Sequence, residues 1–177
     1  KKTLLTIILS FLAFFSASAQ LYRYLDTQQG LSSRRVIAVE KDQKGYMWFL
    51  TQEGVDRYNG KQFNNYILSD GNRPVLHFPN LSQLHIDGQG EIWVTGKNGF
   101  VFKYDPMQDK YDLVMNFADS LKTKRRLPLT HTTIDRQNNL WLCTRNAQYI
   151  YRTDTKQVTK LETPIKEEVF YIEQAKG

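Results

Sequence analysis

The side chains that could do chemistry in this chain are few, and their spacing does not assemble a reaction centre. The three histidines, His77, His85 and His131, do not have the spacing of metal ligands. The one cysteine, Cys143, has no arranged histidine partner, and we expect it to be a small buried filler. No Gly-x-Ser-x-Gly, P-loop or Gly-x-Gly-x-x-Gly sequence occurs. We therefore expect this segment to have no catalytic residue, no metal and no cofactor.

Three aspartates recur for a structural reason. Each precedes a tryptophan by six residues, in the pairs Asp42 and Trp48, Asp87 and Trp93, and Asp135 and Trp141. An aspartate in a turn can bond its own backbone, so the recurrence indicates turn geometry rather than a carboxylate pair for acid–base chemistry. A tryptophan that recurs in every copy indicates packing rather than stacking on a sugar.

A ligand meets one particular copy of a repeat, so residues that differ between copies are the better binding candidates. These are Arg34, Arg35, Arg73, His77, Lys122, Arg125 and Arg126. The basic run between Lys122 and Arg126 could contact an acidic ligand or partner. The alternative is plain solvated surface for each of these residues.

The elements that must position these residues are short strands joined by tight turns. In the first copy, Val36–Val39 and Tyr46–Thr51 are apolar strands, and Glu53-Gly54 and Asn59-Gly60 are hairpin turns. The second strands are apolar nearly throughout, which predicts burial on both faces. The positions that repeat for structural reasons are Asp42, Gly45, Trp48, Gly54, Tyr58, Asp87, Gly90, Trp93, Gly99, Tyr104, Asp135, Trp141 and Tyr151.

The N-terminus has the pattern of a secretory signal peptide. Lys1 and Lys2 form a basic head, Leu4–Phe15 an apolar core, and Ala17-Ser18-Ala19 a small-residue cleavage site. The apolar run is too short for a comfortable membrane span, although an uncleaved anchor is the alternative.

Composition is consistent with one exported β-domain. The 177 residues are 41% hydrophobic and 13% aromatic, which is enough for a packed core. Export argues against nucleic acid as a partner despite the formal net charge of +6. A lone cysteine cannot form an internal disulfide.

A four-stranded antiparallel unit that repeats every 45 to 48 residues predicts a β-propeller, in which each unit is one blade. We expect an all-β propeller fragment with about three blades and the start of a fourth. The predicted segments are a signal peptide (1–19), a lead-in strand (20–35), blade 1 (36–66), a connecting loop (67–80), blade 2 (81–115), a basic connecting loop (116–129), blade 3 (130–163) and the truncated start of blade 4 (164–177).

The repeat resembles that of the two-component regulator propeller family. The family pattern is roughly Asp-x-x-Gly-x-hydrophobic-Trp-hydrophobic-x-Thr-x-x-Gly-hydrophobic-x-x-Tyr-Asp/Asn, and residues 42–60 match it closely. Residues 30–33, Gly-Leu-Ser-Ser, also look like the family's opening. The third copy departs from the pattern at Asn138 and at Asn146-Ala147, where the turn glycines are lost.

This resemblance implies the periplasmic, ligand-sensing region of a hybrid two-component sensor histidine kinase, as in Bacteroidetes-like bacteria, anchored at the inner membrane. It implies an oligosaccharide ligand, phosphorelay signalling to transcription, and a homodimer in the full-length receptor. The partners would be further blades and downstream domains of the same chain, without direct contact to nucleic acid. Two alternatives stay open: a secreted propeller that binds or cleaves polysaccharide, and a structural interaction scaffold.

Overall fold

The computed structural model describes residues 22–70, 74–76, 81–123 and 127–162, and strands dominate these ranges. The first blade contains β1 (Val36–Lys41), β2 (Met47–Thr51), β3 (Val55–Tyr58) and β4 (Phe63–Tyr66). A two-stranded ribbon follows, made of β5 (Leu68–Ser69) and β6 (Pro74–Leu76). The second blade contains β7 (Leu81–Ile86), β8 (Ile92–Gly96), β9 (Phe100–Asp105) and β10 (Lys110–Asn116). The third blade contains β11 (Leu129–Ile134), β12 (Leu140–Thr144), β13 (Gln148–Arg152) and β14 (Gln157–Lys160).

Each blade is an antiparallel sheet whose strands pair in sequence order. The first strands of the blades are neighbours, because β1 contacts β7 and β7 contacts β11. The first strand of each blade is therefore innermost and the fourth is outermost. All three first strands carry a register shift near their start, between Val36 and Ala38, Leu81 and Gln83, and Leu129 and His131. A bulge increases the local twist of a strand, so the first strand of each blade is twisted more strongly at the same position near its start.

The blades have two opposite rims. The Asp-turn rim carries the turns that begin at Asp42, Asp87 and Asp135, together with the turns between third and fourth strands. The connection rim carries the turns between second and third strands and the connections to the next blade. Neighbouring Asp turns lie close together, since a Cβ on Gly90 would lie 3.7 Å from the Gln43 side chain.

The Asp turns need a residue in the left-handed region. Gly45 has a φ of 89° and Gly90 a φ of 82°, and Asn138 takes the same place with a φ of 61°. Each donates its backbone N–H to the carbonyl of the turn aspartate, at 3.0–3.1 Å. Asparagine tolerates this region better than other non-glycine residues, so the third turn keeps its form without glycine.

Two cores fill the spaces between blades. Trp48, Leu50 and Val55 of the first blade pack on second-blade residues that include Val94 and Phe102. A further core joins the second and third blades. Every residue of β8 is buried, as the apolar second-strand pattern predicts for a sheet covered on both faces. Full burial of one such Leu or Phe side chain is worth about 1.5–3 kcal/mol, so these interfaces hold the blades together.

Three connecting segments differ from their predicted form. Residues 22–35 contain no strand; Asp26 instead caps a short 3-10 helix, Thr27–Gln29. The predicted loop 67–80 contains the β5–β6 ribbon, because Leu68 is fully buried in the first core. The predicted loop 116–129 begins with a helix, α1 (Phe117–Ser120), whose Phe117 is fully buried. One buried apolar residue therefore anchors each of the two connections.

The predicted signal peptide (1–19) and the predicted start of a fourth blade (164–177) lie outside the described residues. Among the helices that the structure describes, none has the length and apolar character needed to cross a membrane.

Candidate functional site

The turn aspartates use both carboxylate oxygens for structure. Oδ1 of Asp42 accepts the backbone N–H groups of Lys44 and Tyr46, and Oδ2 accepts the indole Nε1–H of Trp48 at 2.9 Å. The same three bonds recur from Asp87 to Gln89, Glu91 and Trp93, and from Asp135 to Gln137, Asn139 and Trp141. The carboxylate therefore fixes the turn and the tryptophan rotamer together.

The electrostatics of the third turn agree with this structural role. Burial alone would raise the pKa of Asp135, but hydrogen bonds from Trp141 and Asn139 outweigh it and hold that pKa below its usual value. A carboxylate that stays ionised with its lone pairs occupied is poorly suited to proton transfer.

An open groove of about 480 Å³ lies between the first two blades at the Asp-turn rim. Its aromatic wall includes Tyr46, Trp48 and Tyr104. Polar side chains that line it include Gln43, Lys44, Arg57 and Gln89. An aromatic wall with a few polar groups is the usual make-up of a small-ligand site.

Arg57 is the central charge of this groove. Its guanidinium carbon lies 5.1 Å from the ring centroid of Tyr46 and 5.6 Å from those of Trp48, Tyr66 and Tyr104. Nη1 forms an ion pair with Oδ1 of Asp109 at 3.1 Å and donates to the Tyr104 hydroxyl. The Arg57 side chain is only 18% exposed, so these cation–π contacts are partly desolvated and correspondingly stronger.

Asp109 accepts hydrogen bonds from the tyrosine hydroxyl groups that surround Arg57. The hydroxyls of Tyr66 and Tyr104 both donate to Oδ1 of Asp109, the first at 2.7 Å. Hydrogen bonds from Tyr104 and Tyr66 hold the pKa of Asp109 below its usual value. Burial and the bond to Asp109 raise the pKa of Tyr66 above its ordinary value. Both tyrosines are therefore neutral donors at physiological pH.

A second groove of about 570 Å³ occupies the equivalent place between the second and third blades. There, Lys103 lies 5.2 Å from the Trp93 ring centroid and pairs with Glu91. Lys103 faces Trp93 across the β8–β9 ladder, as Arg57 faces Trp48 across β2–β3. In the third blade, Ile150 faces Trp141. The two grooves thus differ at two equivalent positions. The first has Arg57 and Tyr46, and the second has Lys103 and Glu91.

A buried polar network joins the inner strands of the second and third blades. Thr132 donates its backbone N–H to Gln83 Oε1 at 2.6 Å, and its Oγ1 lies 3.1 Å from His85 Nε2. The Gln83 amide also bonds His131 Nδ1 at 3.0 Å. Burial, with a smaller effect of nearby His131, lowers the pKa of His85 from 6.5 to about 4. This histidine is neutral at physiological pH and serves as an interblade hydrogen-bonding group.

The three predicted binding candidates that the structure describes do not line either groove. Arg34 and Arg35 are exposed beside the start of β1, and the Arg35 carbonyl accepts the Gln52 N–H at 3.0 Å. Lys122 is exposed after α1 with a φ of 52°. These three residues lie on the connection rim, opposite the grooves. Arg73, His77, Arg125 and Arg126 lie outside the described residues.

Sequence reasoning missed Arg57, Tyr46 and Asp109. Arg57 stands nine residues after Trp48, and only the strand register shows that the two side chains are cross-strand partners. The hairpin turn Glu53-Gly54 would have allowed this pairing to be counted from the sequence. Asp109 approaches from the second blade, and its position depends on how the two sheets pack. Local sequence patterns do not predict that packing.

No protein-family model matches the chain, and no curated protein sequence matches it. Solved structures do. Two structures of an extracellular domain from B. thetaiotaomicron, BT4673, match with TM-scores of 0.66 and 0.63 at 16% and 17% identity, over 88% and 84% of this chain. The extracellular domain of BT3049 from the same organism matches with a TM-score of 0.62 at 21% identity over 82% of this chain.

The described chain is an arc of a β-propeller. Three four-stranded sheets with adjacent inner strands establish this, and the solved structures share the fold. The propeller arc spans about one fifth of the length of those chains, 20% for both BT4673 structures and 21% for BT3049. BT3049, and BT4673 in one of its two structures, are described as hybrid two component systems.

Proposed function

We propose that this chain is part of the exported, ligand-sensing propeller of a membrane-anchored hybrid two-component sensor histidine kinase, and that it senses a carbohydrate. The observation that carries the proposal is the common fold with extracellular domains of proteins described as hybrid two component systems. The resemblance of residues 42–60 to the two-component regulator propeller repeat supports it independently, because it rests on sequence pattern.

The interblade groove supports a binding role. A pyranose ring has apolar C–H faces that pack on aromatic rings, and hydroxyls that bond amides and cations. The groove offers Tyr46 for the first kind of contact and Gln43, Gln89 and Arg57 for the second. Its volume of about 480 Å³ falls in the range of small-ligand sites.

A groove between blades also suits signalling. A ligand there touches two rigid sheets and favours the blade arrangement to which it binds more tightly. A differential affinity of about 5- to 150-fold corresponds to about 1–3 kcal/mol of coupling, which is enough to bias a receptor between two states. In this proposal the remaining blades and downstream domains of the protein transmit the bias across the membrane to a kinase dimer that regulates transcription.

The decisive test is ligand-dependent phosphorylation of the full-length protein in membrane vesicles. A panel of plant and host oligosaccharides is added from the propeller side, and incorporation of labelled phosphate is measured. We expect one saccharide class to change the rate severalfold. Recovery of the protein in the culture medium, with none in the membrane fraction, would instead identify a freely secreted propeller and reject the sensor.

A further inference from the structure

The charged side chains that line the first groove differ in how fully their hydrogen-bonding atoms are used. Of the two lining carboxylates, Asp42 is occupied by two backbone N–H groups and the Trp48 indole, and Glu91 is paired with Lys103. On the positive side, the exposed Lys44 side chain has no ion pair or hydrogen bond within the described residues. The charged group of this groove with no partner is therefore a hydrogen-bond donor, because both oxygens of Asp42 are already occupied.

Arg57 adds a second unused group of donors. Its Nη1 serves Asp109 and Tyr104, while Nε and Nη2 have no hydrogen-bond partner in the described part of the chain. The Nε–Nη2 edge of a guanidinium is a planar fork that matches both oxygens of a carboxylate. The surrounding rings of Tyr46, Trp48, Tyr66 and Tyr104 hold the guanidinium in place, so little side-chain freedom is lost when it binds.

Comparison of equivalent positions in the three blades shows that the first groove differs from the second. At the position of Arg57 the second blade has Lys103, which is already paired with Glu91, and the third has Ile150. At the position of Tyr46 the second blade has the acidic Glu91 itself. Both cations are ion-paired, Lys103 with Glu91 and Arg57 with Asp109. The first groove differs because its arginine keeps unused donors and lies beside an extra aromatic ring.

We infer that the groove between the first two blades binds an acidic sugar, with the carboxylate of a uronic acid residue on Arg57 and Lys44 and its ring against Tyr46. This inference rests on the proposed carbohydrate-sensing function and names the ligand class and its site. The carboxylate supplies two coplanar acceptors for the Arg57 fork, and the pyranose C–H face packs on the Tyr46 ring.

Titration calorimetry on the purified full-length protein tests this assignment with three probes. Two are acidic, the α-1,4-linked galacturonic acid trimer and the corresponding glucuronic acid oligomer. The third is the methyl-esterified galacturonic acid trimer, which keeps the ring and loses the charge. We expect a uronate oligomer to bind at least about tenfold more tightly than the ester, with an affinity that falls as salt is raised.

Three variants locate the site. Arg57→Lys keeps the charge but removes the planar fork, and we expect at least about tenfold weaker uronate binding. Lys44→Gln changes an exposed side chain that contributes nothing to the core, and we expect binding to weaken about threefold or more while the melting temperature stays unchanged. Lys160→Gln, an exposed lysine on β14, carries the same charge change away from the groove and leaves the affinity unchanged.

Equal affinity for the acid and the ester, no binding of either uronate, or undiminished binding by Lys44→Gln and Arg57→Lys would overturn the inference. A preference for a sulfated neutral sugar over both uronates would also overturn it, because a sulfate does not need the planar fork. If a neutral saccharide still stimulates phosphorylation while the groove variants respond normally, the sensor function stands and only this site assignment fails.

Discussion

Asp87 accepts two backbone N–H groups through Oδ1 and the Trp93 indole N–H through Oδ2. The sequence shows that an aspartate recurs six residues before a tryptophan, but it explains only part of this recurrence. Turn chemistry predicts the backbone bonds. The indole bond depends on the direction of the second strand after the turn, and it explains why the two residues recur together.

Replacing Asp87 by asparagine tests this double role. The amide nitrogen would face either the backbone N–H groups or the Trp93 indole, so one buried donor loses its acceptor. We expect a loss of about 1–3 kcal/mol in the free energy of unfolding, measured by urea denaturation with tryptophan fluorescence. Asp112→Asn is the control, because the Asp112 side chain forms an exposed ion pair with Lys110 whose loss costs at most about 1 kcal/mol. Equal stability of the two variants would show that the indole bond contributes nothing.

His85 makes the stability of the inner-strand interface depend on pH. Its pKa falls from 6.5 to about 4 on folding, so between these values the unfolded chain binds a proton that the folded chain does not. This contribution to stability is complete above pH 6.5 and is lost as the pH falls toward 4. It amounts to at most about 3–4 kcal/mol, since one pKa unit corresponds to about 1.4 kcal/mol.

Urea denaturation at pH 7.5, 5.5 and 4.5 measures that dependence. We expect the His85→Gln variant, which cannot titrate, to lose less stability than the wild type between pH 7.5 and 4.5. Identical pH profiles for the two proteins would show that His85 is protonated in the folded state without penalty.

At the scale of elements, the strands were predictable because hairpin signals and apolar runs are local. Asn59-Gly60 and Glu53-Gly54 both form the turns that their sequence indicates, and β8 is buried on both faces as its pattern requires. The connections were not predictable to the same degree. The burial of Leu68 and Phe117 depends on the neighbouring sheets, and that contact creates the β5–β6 ribbon and α1 in segments rich in turn residues or charge.

The lead-in segment shows a further limit of local pattern. Its apolar residues suggested a strand, but Tyr22 and Tyr24 are 88% and 81% exposed. The firm contacts come later: the Ser32 N–H and hydroxyl both donate to Asp56 Oδ2 at 2.8 Å, and Leu31 is buried. Asp56 is itself fully buried on β3, so residues 30–33 dock on the first blade through a satisfied carboxylate.

The turn between β2 and β3 has a sharper requirement for glycine than the Asp turn. A Cβ on Gly54, whose φ is 150°, would lie 2.3 Å from the backbone carbonyl oxygen of Tyr66. A Cβ on Gly45, whose φ is 89°, would meet nothing within 4 Å. An alanine at position 54 would therefore add a steric clash to the backbone strain, whereas an alanine at position 45 would cause backbone strain alone.

We expect Gly45→Ala to cost about 1–2 kcal/mol, the usual penalty for a left-handed non-glycine residue. Gly54→Ala should cost clearly more, because β4 must also move away from the new methyl group. Thermal unfolding followed by circular dichroism compares the two. A Gly54→Ala variant no less stable than Gly45→Ala would mean that the approach of β4 is loose.

At the scale of the whole molecule, the propeller arc is a row of sheets in which each blade is stabilised by its neighbours. Stability in such arrays is close to a sum of unit terms and nearest-neighbour interface terms. The two cores are separate groups of residues: Leu50 belongs to the first core and Leu142 to the second, and both are fully buried. The second blade is the unit that shares both interfaces, since Phe102 packs in one and Val101 in the other.

This arrangement predicts where the loss of a core side chain is felt. Leu50→Ala leaves a cavity in the first core at a cost of about 2–5 kcal/mol, and hydrogen exchange of the full-length protein should show reduced protection in β2, β3 and β8. In the described part of the chain, strands β13 and β14 of the third blade pack in the second core and not in the first, so their protection should change little. Leu142→Ala is the matched control and should reverse the pattern, with β12 and β13 losing protection while β3 and β4 keep theirs. Uniform loss of protection across all three blades in either variant would contradict nearest-neighbour stabilisation, and it would mean that the blades open only as one cooperative unit.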